Sequence, residues 1–288
     1  MKISILLYLI ILFNTVTFGQ TPPCGERDFR CQLAAAMKAM EADPKNPENY
    51  YNVGVVLQKS GGHKESIEIY SMYIAIPGVR PDLLADGYNN RGIAYRTTKR
   101  PALAHADFTK AIELAPRVSR FYVNRANANA DLGKVDEAFA DYDKAGELDP
   151  KNALAYIGRA ALLAKEGKID DAINEYPKAI SADPANPESY YNRGVLLSGK
   201  KEFAKAISDY DKYISLIRDN PEYLADGHMN RGIAKAMTGN LKEAVDDFTR
   251  VIELKPDSAK AYRARALVYR QMKKNELAEA DERKAGGL

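Results

Sequence analysis

Asparagine is the residue type whose spacing in this 288-residue chain suggests a binding function. A side-chain amide both donates and accepts hydrogen bonds, so a row of amides can pair with the backbone of an extended peptide of any sequence. The alternative is that asparagine is a common, solvated residue at this position. The asparagines are 38, 34, 68 and 38 residues apart and are Asn52, Asn90, Asn124, Asn192 and Asn230.

Six arginines each have an acidic residue sixteen positions later. Ahead of the first of these pairs, two apolar residues, Val53 and Ile69, stand at the same spacing. Because charge accompanies charge and apolar accompanies apolar, we predict direct contact and six structural salt bridges, and we do not expect these carboxylates to be catalytic. The pairs are Arg91 with Asp107, Arg125 with Asp141, Arg159 with Glu175, Arg193 with Asp209, Arg231 with Asp247 and Arg265 with Asp281.

Other residues that could support catalysis or bind a metal are dispersed. His63, His105 and His228 do not stand at ligand spacing from cysteine or carboxylate, and no phosphate-binding glycine loop is present. Cys24 and Cys31 are seven residues apart, too far to bridge along one helix but within reach if the chain folds back between them. We therefore expect no metal, no cofactor and no enzymatic activity. The sequence does not decide whether the two cysteines form a disulfide.

The N-terminal residues have the pattern of a secretory signal peptide. One lysine precedes the apolar run Ile3–Phe13, and small residues follow at Thr17 and Gly19. We predict a signal peptide at residues 1–19, cleaved after Gly19, and export to the periplasm or the outside. The alternative is a retained N-terminal anchor, because the apolar stretch approaches the roughly 20 residues that span a bilayer.

The charge balance argues against a nucleic-acid partner. The chain has 42 basic and 39 acidic residues, and no block of like charges stands out. Its content of 45% hydrophobic and 28% charged residues is typical of a soluble globular protein.

A period of 34 residues underlies these patterns. Small residues, called anchors below, recur with Tyr or His four positions before them and Ala or Ser twelve positions after them. Their spacing is 34 or 38 residues, and a 34-residue period is typical of a solenoid of helix–turn–helix units, which must stack to bury their apolar faces. The anchors are Gly54, Gly92, Ala126, Ala160, Gly194, Gly232 and Ala266.

Segments such as AYIGRAALLAKEGKIDDAINEYPKAISADP resemble tetratricopeptide repeats. The resemblance implies an all-α, right-handed superhelical solenoid of seven repeats at residues 47–285, with an N-terminal tail and capping helix at 20–46 and a tail at 286–288. It also implies a concave face, built by the first helix of each repeat, that holds an extended peptide. Further peptide-binding residues expected on this face are Tyr51, Asn89, Arg96, Arg120, Asn127 and Tyr191.

The middle and the end of the expected face differ in polarity. This difference suggests an extended ligand that is apolar in its centre and acidic at one end. The apolar residues are Leu154, Ile157, Val195, Met229, Ile233 and Met237, and the basic ones are Lys260, Arg263 and Arg270.

Both 38-residue spacings follow a repeat with a tyrosine, Tyr73 or Tyr213, where most other repeats have a small or aliphatic residue. Both insertions contain a proline, Pro81 or Pro221. Proline is favoured at the first position of a helix, so we predict that the next helix starts one turn early and packs near the tyrosine. Pro177 lies inside an expected helix, which it should kink.

These features predict a non-catalytic scaffold that binds a protein or an extended peptide in the cell envelope or outside the cell. The alternative is a structural subunit whose groove holds a fixed partner or its own N-terminal tail. A glycan-binding accessory ranks last, because only Tyr51 and Tyr191 supply rings to the face. The sequence leaves the oligomeric state open.

Overall fold

The computed structural model describes residues 25, 28–217 and 219–287. The described residues form fifteen α-helices and no β-strand. Seven consecutive helix pairs follow a single helix, which confirms the expected all-α fold of helix–turn–helix repeats. The described part of the chain divides into two compact units, one that ends at Asp141 and one that begins at Tyr142.

The first unit holds six complete helices and the start of a seventh. The expected capping helix corresponds to α1. The helices are α1 (Phe29–Ala42), α2 (Pro47–Lys59), α3 (His63–Ile74), α4 (Pro81–Thr97), α5 (Pro101–Leu114), α6 (Ser119–Asp131) and α7 (Val135–Leu148), of which the residues from Tyr142 onward belong to the second unit.

The second unit continues the same alternation of first and second helices. Its last helix ends one residue beyond the expected end of the repeats at residue 285. The helices are α8 (Ala153–Lys165), α9 (Ile169–Ala182), α10 (Pro187–Gly199), α11 (Phe203–Leu216), α12 (Pro221–Met237), α13 (Leu241–Leu254), α14 (Ala259–Gln271) and α15 (Asn275–Gly286).

Each helix from α1 to α6, and each from α8 to α15, packs against its neighbours in sequence. A second set of contacts joins the first helices of consecutive repeats. In the first unit these contacts join α2 to α4 and α4 to α6, and in the second unit they join α10 to α12 and α12 to α14. The first helices α2, α4 and α6 therefore form a row in the first unit, and α10, α12 and α14 form one in the second.

An aromatic ring on the second helix packs against the anchor on the first helix of the same repeat. A Cβ atom added at Gly54 would lie 2.6 Å from the Tyr70 ring, and one added at Gly92 would lie 2.6 Å from the Phe108 ring. The ring thus fills the space of the missing side chain, and the two helices approach closely. The corresponding rings of six repeats are at most 3% exposed and belong to Tyr70, Phe108, Tyr142, Tyr176, Tyr210 and Phe248.

The turn inside each repeat requires a left-handed residue seven positions after the anchor. Four repeats place glycine there, which adopts a positive φ without steric strain. Three repeats place lysine there, at a cost of roughly 1–2 kcal/mol each. The residues are Gly61, Lys99, Gly133, Gly167, Lys201, Gly239 and Lys273.

The two insertions lengthen the helix that follows them, as predicted. Helices α4 and α12 have 17 residues and begin at Pro81 and Pro221, whereas the other first helices have 13. The Tyr73 hydroxyl donates to the Leu83 carbonyl at 2.8 Å inside this extra turn. Burial raises the pKa of Tyr73 to about 12, so this hydroxyl stays protonated at neutral pH.

Each intrusive tyrosine also faces a glycine on the lengthened helix. A Cβ atom added at Gly227 would lie 2.8 Å from the Tyr213 ring, and one added at Gly87 would overlap the Tyr73 ring. The tyrosine, the glycine and the four-residue insertion therefore form one structural unit, called the seam below, that occurs twice. Pro177 lies within α9, which runs without a break from Ile169 to Ala182.

We expect Gly87→Ala to destabilise the chain by about 1–3 kcal/mol, the range for overpacking a filled core. The added methyl group would overlap the Tyr73 ring, which is 3% exposed and therefore surrounded by other atoms. The shift of the urea unfolding midpoint measures the effect. Gly199→Ala is the control, because nothing lies within 4 Å of its added Cβ and alanine favours a helix. Equal midpoints for the two variants would contradict the seam.

Candidate functional site

The first helices of each unit share one side, called the first-helix face. It is formed by the residues six, three and two positions before each anchor and one and five positions after it, since these positions fall on one side of an α-helix. Contacts between neighbouring first helices set the rows of the face side by side in each unit.

In the first unit the asparagines are bonded to one another and to a tyrosine of the preceding repeat. Asn90 Nδ2 donates to the Tyr51 hydroxyl at 3.0 Å, and Asn89 Nδ2 donates to Asn90 Oδ1 at 3.2 Å. Asn124 Nδ2 donates to Asn89 Oδ1 at 2.7 Å. Asn89 is 4% exposed, so the expectation that it contacts a ligand is wrong: its amide is a buried link between repeats.

The second unit repeats the bond from an asparagine to a tyrosine of the preceding repeat, but not the bonds between asparagines. Asn230 Nδ2 donates to the Tyr191 hydroxyl at 3.0 Å, and Asn192 is hydrogen-bonded to Tyr176. The Tyr191 ring packs on Tyr213 with 4.8 Å between the ring centroids. These asparagines join consecutive repeats. An amide has two N–H donors and two lone pairs, so one such bond leaves it capacity for a ligand.

Two positions of the asparagine row hold small residues for a packing reason. At Gly158 the Tyr142 side chain occupies the place of a side chain, because an added Cβ would overlap two ring atoms and the hydroxyl oxygen. Ala264 packs against a hydrophobic cluster that includes Phe248 and Val251. Gly158 therefore has no room for an asparagine unless the Tyr142 ring moves.

The two arginines expected to bind a ligand are already ion-paired. Arg96 Nε lies 2.7 Å from Asp131 Oδ2, and Arg120 Nη2 lies 2.5 Å from Asp86 Oδ1. Both pairs are solvent-exposed and join neighbouring first helices, so they contribute only about 0–1 kcal/mol each and can exchange with a ligand. The remaining expected residues are Asn52, which is exposed, and Asn127, which is half-buried.

Two of the apolar residues assigned to the face from the sequence lie in the core. Ile157 and Met229 are 4% and 7% exposed, because the position three before the anchor is the edge of the face and meets neighbouring helices. Sequence reasoning missed Leu267, which is 64% exposed. Its signal was its position, one residue after the anchor, which it shares with the exposed Val195 and Ile233.

Each arginine of the sixteen-residue pattern contacts its acidic partner within one repeat. The N–O distances lie between 2.5 and 3.0 Å, and the carboxylate side chains are 3–9% exposed. Val53 and Ile69 occupy the same two places in the first repeat and are buried at 0% and 1%. The pairs therefore span the interface between the two helices of a repeat and do not form a catalytic cluster.

Asp247 has partners that the pattern did not indicate. His228 Nδ1 lies 2.8 Å from Asp247 Oδ1, and Lys235 Nζ lies 3.1 Å from Oδ2, in addition to Arg231 at 2.5 Å. Burial by itself raises the pKa of this carboxyl, but hydrogen bonds from His228, Arg231 and Lys235 outweigh it and hold the pKa at about 2. The signal in the sequence was His228, which replaces the usual tyrosine.

Two expectations lie outside the described residues. They are the signal peptide at residues 1–19 and Cys24, one of the two cysteines whose pairing the sequence leaves undecided. In the described part of the chain, His, Cys, Asp and Glu form no group of three that could hold a metal ion. No helix in that part has the length and hydropathy needed to cross a membrane.

Family models of tetratricopeptide repeats match most of the repeat region. A model described as a TPR repeat matches residues 161–201. A model described as a tetratricopeptide repeat matches two segments, residues 89–153 and 229–286. A third model, with the same description, matches residues 187–220. Together the matches cover more than half of the chain. The chain belongs to the tetratricopeptide repeat family.

Solved tetratricopeptide repeat structures share this fold. The C-terminal part of a TPR repeat-containing protein from Cytophaga hutchinsonii is 21% identical with a TM-score of 0.62, and the match covers 82% of this chain and 93% of that one. Yeast Tom70 is 20% identical with a TM-score of 0.63, and the match covers 99% of this chain and 65% of that one.

A curated relative is named for an enzymatic activity. The UDP-N-acetylglucosamine–peptide N-acetylglucosaminyltransferase of Giardia intestinalis is 35% identical over 101 residues, or 35% of this tetratricopeptide repeat chain. The chain spans 7% of the length of that relative. So short a match does not carry the activity over.

We expect Asp209→Ile to destabilise the protein by about 3 kcal/mol, because it leaves the half-buried Arg193 without its carboxylate. The double variant Arg193→Val/Asp209→Ile should recover at least half of this loss, since the first repeat already packs Val53 against Ile69 in these places. Urea unfolding midpoints of the wild type and both variants measure the recovery. A double variant no more stable than the single one would show that the pair does not act as a unit.

Proposed function

We propose that this chain is a non-catalytic scaffold that binds a protein or an extended peptide along the first-helix face. The observation that supports it is the set of hydrogen bonds between repeats, such as Asn90 to Tyr51 and Asn230 to Tyr191, which hold the face in one conformation. A surface ordered before binding loses less conformational entropy when a ligand arrives. Nucleic acid is not proposed as a partner, because the chain is nearly balanced in charge.

The amides alone do not provide enough affinity. Each hydrogen bond to a ligand contributes a net ~0.5–1.5 kcal/mol, whereas micromolar binding requires about 8 kcal/mol. The asparagines therefore fix the path and register of a bound backbone. Neighbouring side chains on the face must supply most of the affinity and the selectivity.

Photo-crosslinking in the native host tests the location of binding. We expect p-benzoylphenylalanine at the exposed positions Asn52 and Arg263, one in each unit, to give at least about fivefold more adduct than at Lys212, an exposed residue of the second helix α11. The yield of adducts on a denaturing gel is the measurement, since a bound partner lies along the first-helix face. Equal yields at all three positions would contradict the proposal.

The masses of the adducts separate the proposed scaffold from its alternative. Several partner masses are expected for a scaffold that exchanges ligands. One partner mass at every labelled position, or a crosslink within the chain, would instead indicate a structural subunit with a fixed partner or a self-filled groove.

We also propose that the chain is exported to the cell envelope or beyond, on the support of the apolar run Ile3–Phe13 and the small residues near Gly19. The expected result is that cell fractionation recovers the protein outside the cytoplasm and that N-terminal sequencing finds Gln20 first. Recovery of the intact N-terminus with the membrane would indicate the retained anchor. Recovery from the cytoplasm would refute export.

A further inference from the structure

Besides Leu154 on α8, which is 53% exposed, four apolar side chains on the first-helix face of the second unit are exposed to solvent. They are Val195 on α10, Ile233 and Met237 on α12 and Leu267 on α14, with exposed fractions of 42%, 40%, 62% and 64%. Three of them stand one residue after an anchor on helices that pack side by side, and Met237 lies one turn further along α12. These four residues are called the apolar strip.

The duplicated sequence shows that the fold does not require apolar residues at two positions of the apolar strip, whereas the other two, Val195 and Ile233, are apolar in both units. The residues 140 positions before Met237 and Leu267 are Thr97 and Asn127, in the same places of the first unit. Since the repeat accepts polar residues there, methionine and leucine have no structural need at these exposed positions. An exposed group of apolar side chains beside charged ones marks a surface that another molecule covers.

The α14 end of the apolar strip is basic. Lys260 and Arg263 are exposed on the same side of α14, and within the described residues neither forms an ion pair. The residue equivalent to Lys260 in the first unit, Arg120, is paired with Asp86. At the opposite end, on α10, the face carries the exposed Glu188. The charge therefore changes sign along the strip.

We propose that the apolar strip binds an extended peptide whose apolar residues are followed by acidic ones. The apolar side chains cover Val195, Ile233, Met237 and Leu267, and the acidic residues lie beside Lys260 and Arg263. Opposite charges at the two ends of the strip set the direction in which the peptide lies. This inference rests on the proposed function and assigns the ligand class to one unit.

Phage display tests the ligand class. The purified chain is the bait, and the library consists of random dodecapeptides. We expect the enriched peptides to contain at least two large apolar residues and an adjacent pair of acidic residues. An enriched peptide, synthesised with a fluorophore, then provides the probe for anisotropy titrations. Enrichment of basic or uniformly polar peptides, or no enrichment, would overturn the inference.

Variants that carry the residues of the first unit locate the binding. Met237→Thr/Leu267→Asn should weaken binding of the enriched peptide by about tenfold or more, equivalent to 1.4 kcal/mol. Arg263→Glu should weaken it by about fivefold at low salt and by less at high salt, because ions screen exposed charges. The control is Leu103→Asn/Leu277→Asn. It removes two leucines that are 47% and 46% exposed on second helices, and it should leave the affinity unchanged.

The outcomes separate this inference from the proposed function. If Met237→Thr/Leu267→Asn binds the enriched peptide as tightly as the wild type, the apolar strip is not the binding site. Equal melting temperatures of the two proteins show that the variant is folded. Crosslinking at Asn52, which lies in the first unit, reports on the scaffold function without reference to the strip. Adducts at Asn52 together with intact peptide binding by the double variant would leave the scaffold in place and refute the strip alone.

Discussion

The contact between an aromatic ring and a glycine anchor determines the geometry of the four repeats that have one. Where Tyr70 packs over Gly54 or Phe108 over Gly92, the two helices of a repeat approach closely enough to exclude any larger residue at the anchor. The same rings lie beside the next first helix, so that Tyr142 excludes a side chain at Gly158. The first-helix face is a consequence of this packing, because it is the side of the first helices that the rings leave uncovered.

Two kinds of polar contact act on this framework at different levels. Bidentate arginine–carboxylate pairs such as Arg125 with Asp141 lie within a repeat and fix the angle between its helices. Amide–phenol bonds such as Asn230 to Tyr191 lie between repeats and fix how one repeat follows the next. The stability of a solenoid is approximately the sum of a first term for its repeats and a second term for the interfaces between them, and each kind of contact contributes to one of these terms. In the repeat of Asp247, the added contacts of His228 and Lys235 strengthen the first term.

Features that recur with a constant separation could be predicted from the sequence, because the period itself reveals them. The helix pairs, the helix starts at Pro81 and Pro221 and the covariation of charge at sixteen residues belong to this class. Features that depend on the rotation of a helix against its neighbour could not. Asn89 and Met229 stand at the same repeat position as the more accessible Tyr51 and Arg263, yet both are buried.

The seam of Tyr73 with Gly87 is repeated by Tyr213 with Gly227, 140 residues later. Because the two seams are encoded by similar DNA sequences, recombination can pair one with the other, and the product still contains a complete seam. A crossover between them would delete or add a block of four repeats, and each new junction would again bring a ring against a glycine. The number of repeats in such a lineage can therefore change in steps of four, because the repeats that meet at the new junction already pack against each other through a seam.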